Sequence, residues 1–180
     1  MLKKMRGFTL IELLIVVAII GILAALLIPN ALSAIQKAKQ KGTMKDINSI
    51  ATALTDYITD NGTAPTSAPD GPIITGGQFY EDLSGFYLKI LPQNDQWGTP
   101  FEVYTGDETN GAYGGVTGCA SDDFLVASYG RDKTKVDFSF DYTDPTTAYF
   151  PITGMTSFNE DLVNWDGSWI HAPKSAQSGT

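Results

Sequence analysis

The chain places one carboxylate where its chemistry requires a partner. Glu12 is the only ionisable side chain in the largely apolar run from Phe8 to Ile28. An ionised carboxylate in hydrocarbon loses its hydration, and a paired cation compensates for that loss. Pairing within a bundle of apolar helices would also determine the axial register between them. Alternatively, Glu12 lies close enough to a membrane surface to reach headgroups and water, and the residues alone leave both interpretations open.

Other residues that could carry chemistry are isolated. His171 is the only histidine and Cys119 the only cysteine, which excludes an internal disulfide and a CxxC pair. Neither residue has a base or nucleophile near it in sequence, so neither predicts catalysis. The glycine-rich stretch from Gly111 to Gly118 is not followed by a Lys-Ser/Thr pair, and we expect a flexible loop rather than a phosphate-binding loop. These residues do not indicate an enzyme.

The apolar run itself must position Glu12. At about 1.5 Å per residue, a helix from Phe8 to Ile28 spans the ~30 Å hydrocarbon core of a membrane. A secretory signal peptide fits less well, because its apolar region is only about 7–15 residues long and ends at an A-x-A site. Basic residues flank the run on both sides, so charge alone does not decide the orientation. They are Lys3, Lys4 and Arg6 before it and Lys37, Lys39, Lys41 and Lys45 after it.

Beyond Ile28 the pattern predicts an amphipathic second half of one long helix. Pro29 lacks a backbone N–H, and we expect a kink or local melting there. Apolar residues then recur at spacings of three and four, which predicts a stripe packed on the remaining chain. The stripe comprises Ile35, Ala38, Ile47, Ile50, Ala51, Leu54, Tyr57 and Ile58. Asn61 and Gly62 tolerate the left-handed conformation of a helix C-cap, so the helix should end there.

The remainder predicts one α+β domain, with the long helix packed on a small antiparallel β-sheet. Thr63 to Gly77 is rich in Pro, Gly, Thr and Ser and predicts a loop. Short strands are predicted at Phe101–Tyr104, Phe124–Ser128 and Phe138–Tyr142. We expect Trp97, Trp165 and Trp169 to lie in the core rather than on a sugar-binding surface. The net charge of −8 and the pI near 4.4 argue against nucleic-acid binding.

The N-terminal residues resemble a known processing motif. Lys3-Lys4-Met5-Arg6-Gly7-Phe8-Thr9-Leu10-Ile11-Glu12 is similar to that of the type IV pilin family. The resemblance implies that a prepilin peptidase removes residues 1–7 by cutting after Gly7 and N-methylates Phe8. It also implies a cytoplasmic N-terminus, and a Glu12 that pairs with the amino terminus of a neighbouring subunit. Phe8, Glu12 and Pro29 are then the expected assembly residues.

Three elements of the body resemble the major pseudopilins of type II secretion systems. Leu91-Pro92 through Pro100-Phe101 is similar to the LP..D.WG.PY element of that family. Ser128-Tyr129-Gly130 with Asp132 is similar to its SYG.D turn, and Asp161 to Trp165 to its DI..W ending. Residues 8–28 would then be the transmembrane and assembly helix, 29–61 the amphipathic helix, and 62–180 a periplasmic body in the type IV pilin fold.

The same resemblance implies a calcium site between the last two elements. Its expected side-chain ligands are Asp132, Asn159 and Asp161, joined by the carbonyls of Leu125 and Ser128. The connection from Lys133 to Phe158 is longer than is usual in the family. Asn159 stands where a carboxylate is common, which lowers the ligand charge. Whether calcium binds stays open on the sequence.

The resemblance implies a structural subunit of a periplasmic pseudopilus that drives protein secretion across the outer membrane. Its implied partners are further copies of this chain, minor pseudopilins, the prepilin peptidase, and an inner-membrane assembly platform with a separate ATPase. A type IV pilus pilin is an alternative, although its major forms commonly use a disulfide that one cysteine cannot make. A second alternative is a membrane-anchored binding module that does not polymerise.

Overall fold

A computed structural model describes residues 8–66 and 71–174. Its contacts divide the chain into two compact units, Met1–Gln36 and Lys37–Thr180. Gly7 and the rest of the predicted leader lie outside the described residues, as do residues 67–70 of the predicted loop.

Helix α1 extends from Leu10 to Asn61 and begins with the apolar run. The apolar window has a mean hydropathy of 3.1, none of it is buried, and the helix is long enough to cross a membrane. Its large apolar side chains are exposed, from Leu10 at 80% to Ile28 at 57%.

Helix α1 continues without interruption through Pro29, whereas the sequence favoured a kink or local melting there. A proline removes one backbone hydrogen bond. The bonds of the adjacent turns remain, and they are sufficient to keep the segment helical.

The later part of α1 carries the predicted apolar stripe. Ile47, Ile50 and Leu54 are fully buried and share one cluster with Phe101 and Val126 of the body. Ile35 and Ala38, which were predicted to belong to the stripe, are exposed. The helix ends as predicted, because the Gly62 N–H donates to the Ile58 carbonyl at 2.7 Å and Gly62 has φ +79°, a left-handed cap.

Within the described residues, six strands form one sheet in the order β1-β2-β3-β5-β6-β4. The strands are β1 (Gly71–Pro72), β2 (Glu102–Thr105), β3 (Phe124–Ser128), β4 (Tyr149–Phe150), β5 (Leu162–Trp165) and β6 (Ser168–Pro173). Strand β4 pairs parallel to β6, and the other neighbours are antiparallel. A short helix, α2 (Gln78–Leu83), precedes β2. The α+β prediction is confirmed, with a mixed rather than wholly antiparallel sheet.

The two faces of the sheet bury different partners. One face packs on α1 through the cluster described above. The other buries Leu125 and Val163 beneath Tyr113 and Val116. Trp165 packs on this second cluster and Trp169 on the helix side. All three tryptophans are half-buried rather than fully in the core.

The predicted strand Phe138–Tyr142 is not a strand. Its backbone instead crosses the glycine-rich loop, where the Phe140 N–H donates to the Gly114 carbonyl at 3.2 Å. A Cβ on Gly114 would lie 2.8 Å from the Phe138 carbonyl, and one on Gly115 would lie 2.7 Å from that of Phe140. The loop expected to be flexible therefore forms a packed cradle for this segment.

Candidate functional site

Glu12 and Thr9 form a reciprocal hydrogen-bonded cap at the start of α1. The N–H and Oγ1 of Thr9 donate to Oε2 of Glu12 at 2.8 and 2.6 Å. The N–H of Glu12 donates back to Thr9 Oγ1 at 3.3 Å. This arrangement is a capping box, in which residues three apart satisfy each other's groups at a helix start. Within a single subunit, Glu12 thus has a local partner.

Of the predicted processing and assembly residues that the structure describes, Phe8 lies next to this cap. Phe8, the expected new terminus, is 77% exposed and directly precedes Thr9. Pro29 lies farther along α1 and is also exposed. We did not identify Thr9 from the sequence, although a Thr three residues before a Glu at the start of an apolar run is the pattern of a capping box.

Asp161 is the most unusual carboxylate of the body. It is fully buried and precedes β5. Its Oδ2 accepts hydrogen bonds from the Tyr113 hydroxyl at 2.8 Å and the Val136 N–H at 3.0 Å. Its Oδ1 is buried without a hydrogen-bond partner. Burial raises the pKa of Asp161 to about 7, although both hydrogen bonds favour the ionised form.

The turn after β3 brings Asp132 and Asn159 to the same end of the sheet. The Arg131 N–H donates to the Phe158 carbonyl at 2.8 Å, and Arg131 Nε donates to Asn159 Oδ1 at 2.9 Å. Asp132 Oδ1 accepts from the Thr134 N–H at 3.1 Å. Asp132 is close enough that its negative charge contributes to the raised pKa of Asp161.

The two predicted carbonyl ligands lie at different positions along β3. Ser128 is paired with Leu162, the residue after Asp161. Leu125 is paired with Tyr104 on one side and Trp165 on the other. Leu125 and Ser128 are three residue steps apart along the strand, which is about 10 Å. The structure therefore brings Ser128, Asp132, Asn159 and Asp161 together and leaves Leu125 apart.

The donor set at Asp161 suits a hard cation in part. Calcium prefers carboxylate and carbonyl oxygens, and the unpartnered buried Oδ1 of Asp161 is an oxygen of this type. Asn159 Oδ1 already accepts from the Arg131 guanidinium. No group of three or more His, Cys, Asp or Glu side chains that could hold a metal occurs within residues 8–66 and 71–174.

A second buried carboxylate joins two of the sequence elements to each other. Asp95 Oδ1 accepts from the N–H groups of Trp97 and Thr99, both at 2.9 Å. Its Oδ2 accepts from the Ser128 hydroxyl at 2.8 Å. The LP..D.WG.PY element therefore supports the turn that carries Asp132, a contact that no local sequence pattern reveals.

Comparison with known proteins identifies the family. The Prokaryotic N-terminal methylation motif matches residues 2–28. The family described as Type II secretion system (T2SS), protein G, matches residues 30–137, more than half of the chain. The chain belongs to the type II secretion system protein G family. Membership confirms the resemblance carried by the N-terminal motif and the body elements.

Curated relatives in this family are named type II secretion system core protein G. That of Aeromonas hydrophila is 35% identical over 108 residues, which cover 56% of this chain and 73% of the relative. That of Vibrio cholerae serotype O1 is 37% identical over 115 residues, covering 59% and 78%. That of Dickeya chrysanthemi is 26% identical over 175 residues, covering 94% and 92%. No solved structure matches the chain.

The match to the protein G family divides the candidate calcium site. Asp132 lies within residues 30–137, whereas Asn159 and Asp161 lie beyond them. The segment that donates Val136 N–H to Asp161 spans this boundary. The candidate calcium site of this chain thus combines residues inside the family match with residues outside it.

Proposed function

We propose that this chain is the major subunit of a pseudopilus that drives type II protein secretion across the outer membrane. The observation that carries the proposal is the first part of α1. Its large apolar side chains are exposed, and Glu12 is the only ionisable side chain among them. Such a surface requires lipid before assembly and neighbouring helices afterwards. Membership in the protein G family supports the same conclusion.

In this proposal the chain spans the inner membrane once, with its N-terminus in the cytoplasm and its body in the periplasm. Prepilin peptidase cuts between Gly7 and Phe8, and the new amino group becomes the partner of Glu12 in an adjacent subunit. The capping box then has a defined role, because Thr9 satisfies the carboxylate until that amino group replaces it. The protein acts as a structural subunit rather than an enzyme. Its partners are minor pseudopilins and an inner-membrane platform with a separate ATPase.

A clean deletion of the gene tests this function. The culture-supernatant proteome and the surface filaments of mutant and parent cells are compared, with the wild-type gene on a plasmid as the control. Loss of secreted proteins with pili intact supports the proposal. Loss of pili with a normal supernatant assigns the protein to the type IV pili instead. Crosslinking of intact membranes then excludes the anchored module if it yields a ladder of multimers rather than monomer alone.

We also propose that Asp161 and Asp132 hold calcium, with the Ser128 carbonyl and the Asn159 amide as further oxygen ligands. The buried, unpartnered Oδ1 of Asp161 supports this site. A bound divalent cation would supply the positive charge that this carboxylate lacks and would tie the β3 turn to β5. Because Asn159 carries no charge and bonds to Arg131, we expect weaker affinity than a site with three carboxylates would have.

Thermal melting of the full chain in detergent micelles tests the calcium site. Wild-type protein should melt at a higher temperature with calcium than with chelator, and magnesium should not reproduce the shift. Asp161→Ala should abolish the shift, while Asp56→Ala, which removes an exposed carboxylate of α1, should retain it. Identical melting of wild type with calcium and with chelator would exclude the site without affecting the secretion proposal.

A further inference from the structure

The sheet carries an aromatic cleft that the proposed function does not use. It has a volume of about 400 Å³ and lies beside the hairpin formed by β5 and β6. Its walls include Phe140, Tyr142, Tyr149, Trp165 and Trp169. Every lining residue follows residue 137, where the protein G match ends. The cleft is therefore a feature of the part of the chain outside the family match.

Three rings of the cleft are arranged as adjoining walls. Tyr142 meets Phe140 at a centroid distance of 5.1 Å and an angle of 71°. It meets Trp165 at 5.7 Å and 84°. Both contacts are edge-to-face, and all three rings line the same cleft. Aromatic faces attract cations, and we call these three rings the cage.

The walls are held in place before any ligand arrives. The Tyr142 hydroxyl accepts from the Thr117 N–H at 3.2 Å, and the Phe140 N–H donates to Gly114. Trp165 is fixed in strand β5. Even so, Tyr142 is 50% exposed and Tyr149 46% exposed, so the cage is accessible from solvent. A preorganised, accessible site loses little free energy to ordering on binding.

The charge at the cleft also favours a cation. Asp166 lines it, and one of its oxygens, Oδ1, accepts from the Phe124 N–H at 2.8 Å. Burial, followed by the nearby carboxylates Asp123 and Asp122, raises the pKa of Asp166 to about 6. The two carboxylates also add to the negative potential at the cleft. Among the described residues, no lysine or arginine lines the cleft and Asp166 forms no ion pair.

A sugar suits this cleft less well than a cation. Sugar hydroxyls require both donors and acceptors beside the aromatic faces. The hydroxyls of Tyr149 and Ser168, which also line the cleft, can supply both, so the preference for a cation rests on the negative charge of Asp166 and its neighbours Asp123 and Asp122. A guanidinium group needs just what is present, since it stacks on aromatic faces and donates in its own plane to a carboxylate.

We propose that the cleft bounded by Phe140, Tyr142 and Trp165, with Asp166 at its edge, binds an arginine side chain presented by a partner protein. The acidic chain, with a net charge of −8, complements a basic partner in general. The cage supplies the local selectivity for a planar cation. This binding site is independent of whether the chain polymerises or supports secretion.

Titration of the full chain in detergent micelles tests the site, with the tryptophan indole N–H signals followed by NMR. The probe is acetyl-Gly-Arg-Gly-amide, and its matched control is the citrulline peptide, which has nearly the same shape without the charge. We expect the arginine peptide to shift the Trp165 signal saturably. The citrulline peptide should bind at least about fivefold more weakly. Trp97, which does not line the cleft, should not respond.

Four variants assign the effect to the cage. Tyr142→Leu and Asp166→Asn should each weaken binding by about threefold to thirtyfold. Tyr142→Phe retains the ring but loses the bond from Thr117, so it should bind more tightly than Tyr142→Leu. Asp56→Asn removes a remote charge from α1 and should bind nearly as wild type does. Asparagine tolerates the positive φ of 47° at Asp166, and dispersed amide signals verify that each variant is folded.

Three results of the peptide titration would overturn the proposal. They are equal binding of the two peptides, no saturable shift with either peptide, and displacement of the arginine peptide by methyl β-glucoside, which would identify a carbohydrate site instead. Loss of binding in Asp56→Asn equal to that in Asp166→Asn would also contradict it, because general acidity rather than the cage would then be responsible.

Discussion

The two ends of helix α1 differ in the burial of their apolar side chains, which are exposed in the N-terminal part and buried in the C-terminal part. Leu10 and Leu26 are 80% and 68% exposed, whereas Ile47 and Leu54 are fully buried. One part of the helix therefore finds its apolar partners within the chain, and the other must find them outside it. An apolar surface of this extent has a high free energy in water, so its partner is a membrane or other subunits.

The carboxylates of the two units differ in how far along the sequence their hydrogen-bond partners lie. Glu12 is satisfied by Thr9, three residues away. Asp161 has its hydrogen-bond partners, both on Oδ2, in Tyr113 and Val136, which are 48 and 25 residues away. A local partner can be exchanged by moving one side chain, whereas a tertiary partner is released only when the body opens. The N-terminal unit is thus suited to a change of partner, and the body to a constant form.

The largest effect should follow from removing the exchangeable carboxylate. Glu12→Ala should be processed normally but yield at least about tenfold fewer filaments, because in the proposed assembly the neighbouring amino group then has no partner in the membrane. Immunoblotting measures processing, and sheared filament fractions measure assembly. Asp56→Ala serves as a control for loss of an acidic side chain. A normal filament yield from Glu12→Ala would show that assembly does not require Glu12, and would contradict the view that the N-terminal unit changes partners on assembly.

The stability of the body should instead be sensitive to substitutions at positions where its backbone is closely packed. Gly130 has φ +67°, and a Cβ there would lie 2.8 Å from the Glu160 carbonyl and 2.9 Å from that of Phe158. We expect Gly130→Ala to destabilise the body by about 2–4 kcal/mol, which lowers the melting temperature by about 5–15 °C.

Gly154→Ala is the matched control for that variant, since a Cβ at Gly154 meets nothing within 4 Å. It should melt within about 2 °C of wild type. Equal melting of Gly130→Ala and Gly154→Ala would contradict the close contact between the β3 turn and residues 158–160.

Asp95 tests the tertiary hydrogen bonds of the body. Asp95→Ala leaves the Ser128 hydroxyl and two backbone N–H groups without their acceptor, and we expect a loss of about 2–3 kcal/mol. Ser128→Ala removes only one of these bonds and should lose about 1 kcal/mol. Urea unfolding of both variants gives the two values. A smaller loss for Asp95→Ala than for Ser128→Ala would be inconsistent with this network.

The smallest effect concerns the local cap. Thr9→Val removes the hydroxyl that both donates to and accepts from Glu12. Hydrogen exchange of the first amides of α1 should accelerate by about fivefold, while the melting of the body stays unchanged. Thr9→Ser retains the hydroxyl and should exchange as wild type does. A lower melting temperature for Thr9→Val would show that the two units are not independent.

Predictions from the sequence were most successful where neighbours in sequence are also neighbours in space. The apolar run, the stripe at Ile47, Ile50 and Leu54, and the cap at Gly62 all follow from helical periodicity. The strands at β2 and β3 follow from β-prone runs between turn residues. The β5–β6 hairpin was missed, although Asp166-Gly167 between two apolar runs, with φ values of 47° and 79°, is a recognisable hairpin turn.

The sequence by itself determined the apolar helix, the isolated Glu12 and the α+β class, because these depend on patterns within a few turns or strands. Only the tertiary structure decided that Phe138–Tyr142 lies over the glycine loop instead of joining the sheet. It alone placed Asp161 beneath Tyr113 and Phe140 beside Trp165. The physical reason is that contacts between distant residues depend on which backbone groups and glycines can approach closely, and no local spacing encodes that approach.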